Sequence, residues 1–218
     1  MKMRNATNTL TLKKGHIRVL GFLLANPGRS FTQLEIAKSV GQVKSYKNLR
    51  GAIQELAEQG VIVKREVGAS VLCSLNFKVS KTLDYLAYVE NARRYELFKR
   101  APAVREIGER LIEQIRLHTP FFSLLLFGSY AKGTFHERSD ADLVVIAEKK
   151  YRAAIGNEFT HLQAIYTLKL NFFVMAPADY ERMLKSKEEI NVGKESLRGH
   201  VLLYGTELYY QVVRNALW

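Results

Sequence analysis

Gly128-Ser129 and, after ten intervening residues, Asp140-Ala141-Asp142 are the residues whose types and spacing define a chemistry. Asp140 and Asp142 open a strand-like run that continues through Leu143-Val144-Val145-Ile146. Side chains alternate across a strand, so the two carboxylates share one side of a sheet. Such a pair repels unless a positive charge lies between its members, and magnesium (or manganese) is the hard cation that oxygen ligands of this kind hold. Gly128 ends an apolar, aromatic-rich run, Phe121-Phe122-Ser123-Leu124-Leu125-Leu126-Phe127, which reads as a buried strand feeding a turn. Its glycine lets the backbone approach a ligand, and Ser129 with the following amides can donate hydrogen bonds to phosphate oxygens. The pattern predicts metal-assisted attack on a nucleoside triphosphate, with Asp140 and Asp142 as metal ligands and catalytic residues.

Leu126-Phe127-Gly128-Ser129, the gap, and Asp140-Ala141-Asp142-Leu143 together resemble the nucleotidyltransferase superfamily that contains DNA polymerase beta. Gly128-Ser129-Tyr130-Ala131-Lys132-Gly133 with Ser139-Asp140-Ala141-Asp142-Leu143 is similar to its small stand-alone members, the minimal nucleotidyltransferases, over roughly residues 103–210. The resemblance implies that Gly128, Ser129 and Lys132 hold the triphosphate while the two aspartates bind metal ions bridging the phosphates. It also implies a third carboxylate, on the following strand, as a base toward the attacking hydroxyl. That strand is Leu168-Lys169-Leu170-Asn171-Phe172-Phe173-Val174-Met175, with Lys169, Asn171 and Phe173 on one face. The position of the acid reads Asn171, which accepts hydrogen bonds but takes no proton at neutral pH. Nucleotide and metal binding are expected regardless. Transfer must then rely on two carboxylates and a sufficiently acidic attacking group.

The elements that must position these residues can be read from periodicity. A helix from Ala103 to Leu117, with Ile107, Leu111, Ile112 and Ile115 inward, leads into the first strand; Ala101-Pro102 precedes it. Beyond the third strand, Pro177 opens a helix through Tyr180, Met183 and Leu184, and a closing segment, Leu197 to Val213, holds Gly205 between apolar groups. Lys78 to Arg100 has neither Gly nor Pro. Its apolar stripe of Leu83, Leu86, Tyr88, Val89, Ala92, Tyr95, Leu97 and Phe98 predicts a long connecting helix that packs on one domain or pairs with a second copy as a homodimer.

The net charge of +12 is concentrated at the N-terminal end: residues 1–78 hold thirteen Lys and Arg against four acids, and residues 79–218 hold twenty against seventeen. A whole basic domain implies a polyanionic partner. Its pattern is three helices and a hairpin. Gly15 to Ala25 buries Ile17, Leu20, Leu24 and Phe22. Thr32 and Glu35 form a capping box ahead of Leu34, Ile36, Ala37 and Val40, with Gly41 closing. A third helix starts near Ser45 and buries Leu49, Ile53, Leu56 and Ala57. Two strand-like runs, Val61 to Arg65 and Ser70 to Leu75, flank a turn at Gly68. This resembles a winged helix-turn-helix over roughly residues 13–77. The resemblance implies double-stranded DNA as partner, with Lys44, Lys47, Asn48 and Arg50 of the third helix and Lys64 and Arg65 of the hairpin as contacts. Gln54 and Tyr46 lie on or near the same face.

The expected class is therefore α+β. An N-terminal winged helix-turn-helix (1–78) is joined by a linker helix (79–101) to a small mixed-sheet nucleotidyltransferase domain (102–218). No apolar run of about eighteen residues and no signal-peptide core occur, which points to a cytoplasmic protein without membrane attachment. Cys73 is the single cysteine and the five histidines lack metal-ligand spacing, so neither type is expected to bind metal. Two functions from different classes fit. One is a metal-dependent enzyme moving a nucleoside monophosphate from a triphosphate to a hydroxyl. Some minimal nucleotidyltransferases are antitoxins that modify a toxin, so a toxin-type protein partner is one version. The other is a DNA-binding regulator whose nucleotidyltransferase-like domain only senses nucleotide. Asn171 favours the second; Ser129, Asp140 and Asp142 favour the first.

Overall fold

The computed structural model describes residues 12–41, 43–188 and 190–217, so the ends of the expected terminal domains, residues 1–11 and Trp218, lie outside it. The chain divides into two units: one runs to residue 24 and from 29 to 85, the other takes residues 25–28 and 86 onward. No helix among the described residues is long and apolar enough to cross a membrane.

The first unit contains α1 (Lys14–Leu24), β1 (Phe31–Thr32), α2 (Gln33–Ser39), α3 (Tyr46–Glu58), β2 (Ile62–Val67) and β3 (Ser70–Leu75). The expected capping box is formed: Thr32 Oγ1 accepts from the Glu35 amide at 3.2 Å, and the Glu35 carboxylate accepts from the Thr32 amide at 2.7 Å. The core face of α1 is His16, Val19, Leu20, Leu23 and Leu24; Ile17 and Phe22, expected inside, are only half-buried. They sit one position off the i, i+3, i+4 stripe, and Phe22 turns its ring onto Phe31 instead. Leu49, Ala52, Ile53 and Leu56 bury the inner face of α3. β2 and β3 pair antiparallel from Ile62↔Leu75 to Val67↔Ser70, and β1 adds to β3, giving the order β1-β3-β2. Cys73 is buried in the middle strand.

The second unit takes most of α4 (Lys81–Arg100), then α5 (Pro102–His118), β4 (Phe122–Phe127), α6 (Gly128–Lys132), β5 (Ala141–Ala147), α7 (Arg152–Ile165), β6 (Leu170–Met175), α8 (Pro177–Lys185), α9 (Val192–Arg198), β7 (Val201–Tyr204) and α10 (Thr206–Leu217). The apolar stripe of α4 is narrower than its sequence predicts, for Tyr88 and Tyr95 are exposed while Glu90 is buried. Four strands form one mixed sheet in the order β6-β5-β4-β7. β4 runs antiparallel to both β5 and β7; β5 and β6 are parallel, so α7 is the crossover that a parallel pair requires. Leu124, Leu126, Leu143, Val145 and Val174 turn one sheet face to α5 and α7 in a continuous core. Leu125, Val144 and Ile146 fill the other face, against which α8, α9 and α10 pack. At the β7–α10 junction, Gly205 has φ +75°, and a Cβ there would lie 2.0 Å from the Phe122 carbonyl oxygen. Only glycine fits.

A second polar centre is buried in this unit. Glu90 of α4 accepts from the Tyr210 hydroxyl at 2.7 Å, lies 3.3 Å from Arg93 and 3.5 Å from His200, and accepts from the Leu202 amide at 3.4 Å. His200 uses its other ring nitrogen on the Ser196 carbonyl at 2.7 Å. A buried carboxylate is tolerated because several donors surround it.

Candidate active site

Register assembles the site. Phe127, Asp142 and Asn171 are partners in a single row across β4, β5 and β6. Cross-strand partners point to the same side, so the Asp142 carboxylate and the Asn171 amide face each other. Asp140, two residues earlier, turns its carboxylate to the same point. The Asn171 amide nitrogen lies 3.2 Å from Asp140 Oδ2 and 3.1 Å from Asp142 Oδ1. An amide between two carboxylates must present its NH2 group, the only arrangement in which it donates to both. Asn171 therefore stands between the two aspartates.

Lys169, just ahead of β6, completes the cluster with Nζ 3.0 Å from Asp140 Oδ2. That hydrogen bond, with the one from Asn171, holds the Asp140 carboxyl below the usual carboxylate range. Lys169 was legible only as a strand residue; its role as the cation beside Asp140 follows from the β5–β6 pairing. The pair's mutual repulsion is thus relieved by protein groups. Asp140 Oδ2 and Asp142 Oδ1 both reach the Asn171 nitrogen, so the two carboxylates stand close enough to share one cation beside that amide, and two hard oxygen donors suit magnesium. Among the described residues no three of His, Cys, Asp and Glu converge, so the protein would supply two ligands and solvent or substrate the rest.

Gly128 is fixed by this cluster. Its φ is +69°, and a Cβ would fall 2.1 Å from Asp142 Oδ2. The glycine thus makes room for a carboxylate, a tighter requirement than the ligand approach read from sequence. Ser129 and Lys132 follow in α6, which Gly133 ends with φ +74°.

In the first unit the expected contact residues do not form one patch. Lys47, Arg50 and Gln54 share an α3 face and line a cleft with Lys64 of β2, whose ammonium hydrogen-bonds Gln54. Asn48 lines a second depression with Lys14 and Arg18 of α1, and Lys47 borders both hollows. Lys64 and Arg65, grouped by sequence, point to opposite sides of the hairpin because adjacent strand residues alternate. Lys44 is exposed in the turn before α3 and lines neither hollow.

Residues 109–204 match the family model described as nucleotidyltransferase domain. No curated protein matches the chain. Among solved structures, "Crystal structure of the toxin-antitoxin with AMP-PNP" is similar at 17% identity over 50% of this chain and 85% of that one, with a TM-score of 0.32. The matched family segment begins within α5 and ends with β7, so it contains the whole sheet and the aspartate cluster.

Proposed function

We propose that the second unit binds a magnesium–nucleoside triphosphate and transfers its nucleoside monophosphate to a hydroxyl acceptor. The observation that carries this reading is the convergence of Asp140 and Asp142 on one point, beside a glycine that admits no side chain, inside the segment that matches the nucleotidyltransferase domain. Asp140 and Asp142 would hold the metal, which would supply positive charge against the charge that develops on the phosphates. Gly128, Ser129 and Lys132 hold the phosphate chain through amide, hydroxyl and ammonium donors. Lys169 would give up Asp140 to the metal and turn its ammonium to a phosphate oxygen. Asn171 orients Asp140 and Asp142 but accepts no proton, so the acceptor hydroxyl must be acidic or lose its proton to solvent.

The first unit is read as a winged helix-turn-helix that places the enzyme on double-stranded DNA. Its three helices, three-stranded sheet and the basic cleft between α3 and β2 support this reading. A second reading, a DNA-binding regulator that senses nucleotide without turnover, draws on the same Asn171: its amide stands where the resemblance implies the base. Each labelled triphosphate, incubated with the protein and magnesium, discriminates the two. Label transferred to protein or nucleic acid, and lost in the Asp140→Asn, Asp142→Asn double variant, identifies the enzyme. Magnesium-dependent binding without transfer identifies the sensor, and equal nucleotide affinity in the double variant would show that the aspartates are structural.

A further inference from the structure

A groove of about 1000 Å³ in the second unit takes four consecutive residues of β6, Phe172 to Met175, into its wall. Consecutive strand residues point to opposite faces, so a cavity touching four in a row runs along the strand's outer edge. Ring contacts agree: Phe172 stacks on Phe159 of α7 at 4.3 Å, whereas Phe173 lies 6.4 Å from Phe127 on the other face. Among the described residues β6 is the end strand of its sheet, with β5 its one neighbour.

The ladder fixes which backbone groups the groove presents. The Ala141 amide donates to the Lys169 carbonyl at 2.8 Å. In an evenly spaced parallel ladder, Asn171 and Phe173 then turn their amide and carbonyl groups toward β5, and Leu170, Phe172 and Val174 turn theirs outward. Leu170 confirms the phase, since its amide donates to the Gln163 side chain at 2.7 Å. Gln163 thus closes one end of the edge, and Phe172 and Val174, both in the groove wall, direct their amides and carbonyls away from β5. Both phenylalanines are partly exposed there, at 37% and 41%. An open edge with apolar walls is the arrangement to which an extended peptide adds as a further strand.

The rim states the peptide's chemistry. On the α7 side stand Lys149 and Arg152, exposed cations with no acidic partner among the described residues. On the α8 side are Phe173 and Met183, and Arg182 is neutralised by Asp179 at 3.1 Å. A strand laid on the edge would direct alternate side chains to these two sides.

We propose that the β6 edge is a docking site for an extended acidic polypeptide, which pairs with Phe172 and Val174 through its backbone, sets carboxylates against Lys149 and Arg152, and sets apolar side chains against Phe173 and Met183. Docking is independent of the nucleotide: the Asp140→Asn, Asp142→Asn variant retains it, so failure of either reading is visible separately.

The probe is a labelled peptide of about eight residues alternating valine and glutamate, long enough to span the open edge, titrated against the full chain by fluorescence anisotropy. N-methylation at the backbone positions facing β6 should weaken binding at least tenfold. Phe172→Pro should do the same while leaving the β5 ladder intact, because that amide points outward. Arg152→Glu should lose the glutamate peptide and gain a valine–lysine one. Undiminished binding of the N-methylated peptide overturns the proposal on the unaltered chain, whatever the folding of Phe172→Pro. So do charge-insensitive binding, absence of binding at about 1 mM peptide, and displacement by triphosphate from the double aspartate variant, which would make the groove a small-molecule pocket.

Discussion

At the scale of single residues, the site is defined by what stands between two carboxylates. Asn171→Asp should raise any transfer rate by about a hundredfold or more at fixed pH and metal, because a general base then faces the acceptor. It should also lower stability in the absence of metal, since three carboxylates would share Lys169. A lower rate in a folded variant would place the base elsewhere. Glu90 gives a second prediction. Burial pushes its carboxyl up, but the His200 ring 3.5 Å away, then Arg93 and the Tyr210 hydroxyl, bring it down to about 2 from an ordinary 4.5. A group depressed in the folded state stabilises above its unfolded value and loses that contribution as pH falls through the folded value. Stability should therefore decline between about pH 4.5 and 2, by up to about 3 kcal/mol, and Glu90→Gln should flatten that decline in chemical denaturation followed across the range. The aspartates and Asn171 were legible because their chemistry lies in local spacing. Glu90 was not: within α4 it looks like a solvent-facing charge, and His200 lies far along the chain.

At the scale of elements, helices and strands with strong local signals are where their sequences place them, among them the Thr32 capping box, the hairpin around Gly68 and α5 behind Pro102. α7 went unread although Ile155, Phe159 and Leu162 recur at helical spacing; the stronger signal is the demand of a parallel β5–β6 pair for a crossover. β6 starts at Leu170, later than its apolar run suggests, because its partner strand β5 starts only at Ala141, opposite Leu170. Two glycines separate conformational from steric need. Gly68 has φ +57° with open space around it, whereas Gly205 has φ +75° and a backbone oxygen in the place of a Cβ. Gly68→Ala should cost about 1 kcal/mol and Gly205→Ala about 3 kcal/mol or more, measured by denaturant unfolding. Similar costs would mean that the β7–α10 turn yields.

At the scale of the molecule, charge and chemistry are segregated, with most of the excess positive charge at the N-terminal end and the aspartate cluster in the second unit. If the first unit meets DNA as proposed, affinity for duplex should fall steeply with salt as counterions are released. Removal of charge at Lys47 or Lys64 should flatten the log–log slope by about one unit at every sequence, while Arg50 should relax preference at one base pair. Arg65, on the other side of the hairpin, should matter less. A flat salt dependence would make the unit a protein-interaction module. The row Phe127–Asp142–Asn171 has one more consequence. Strand side chains repeat every second residue, so a slip of one position in β5 or β6 would send a carboxylate or the amide through to the opposite side of the sheet. A misaligned copy of this chain has no weakened site; it has none. If the site takes nucleotide as proposed, its capture doubles as proofreading of the fold, and the fraction of a preparation that binds counts the molecules whose strands are in step.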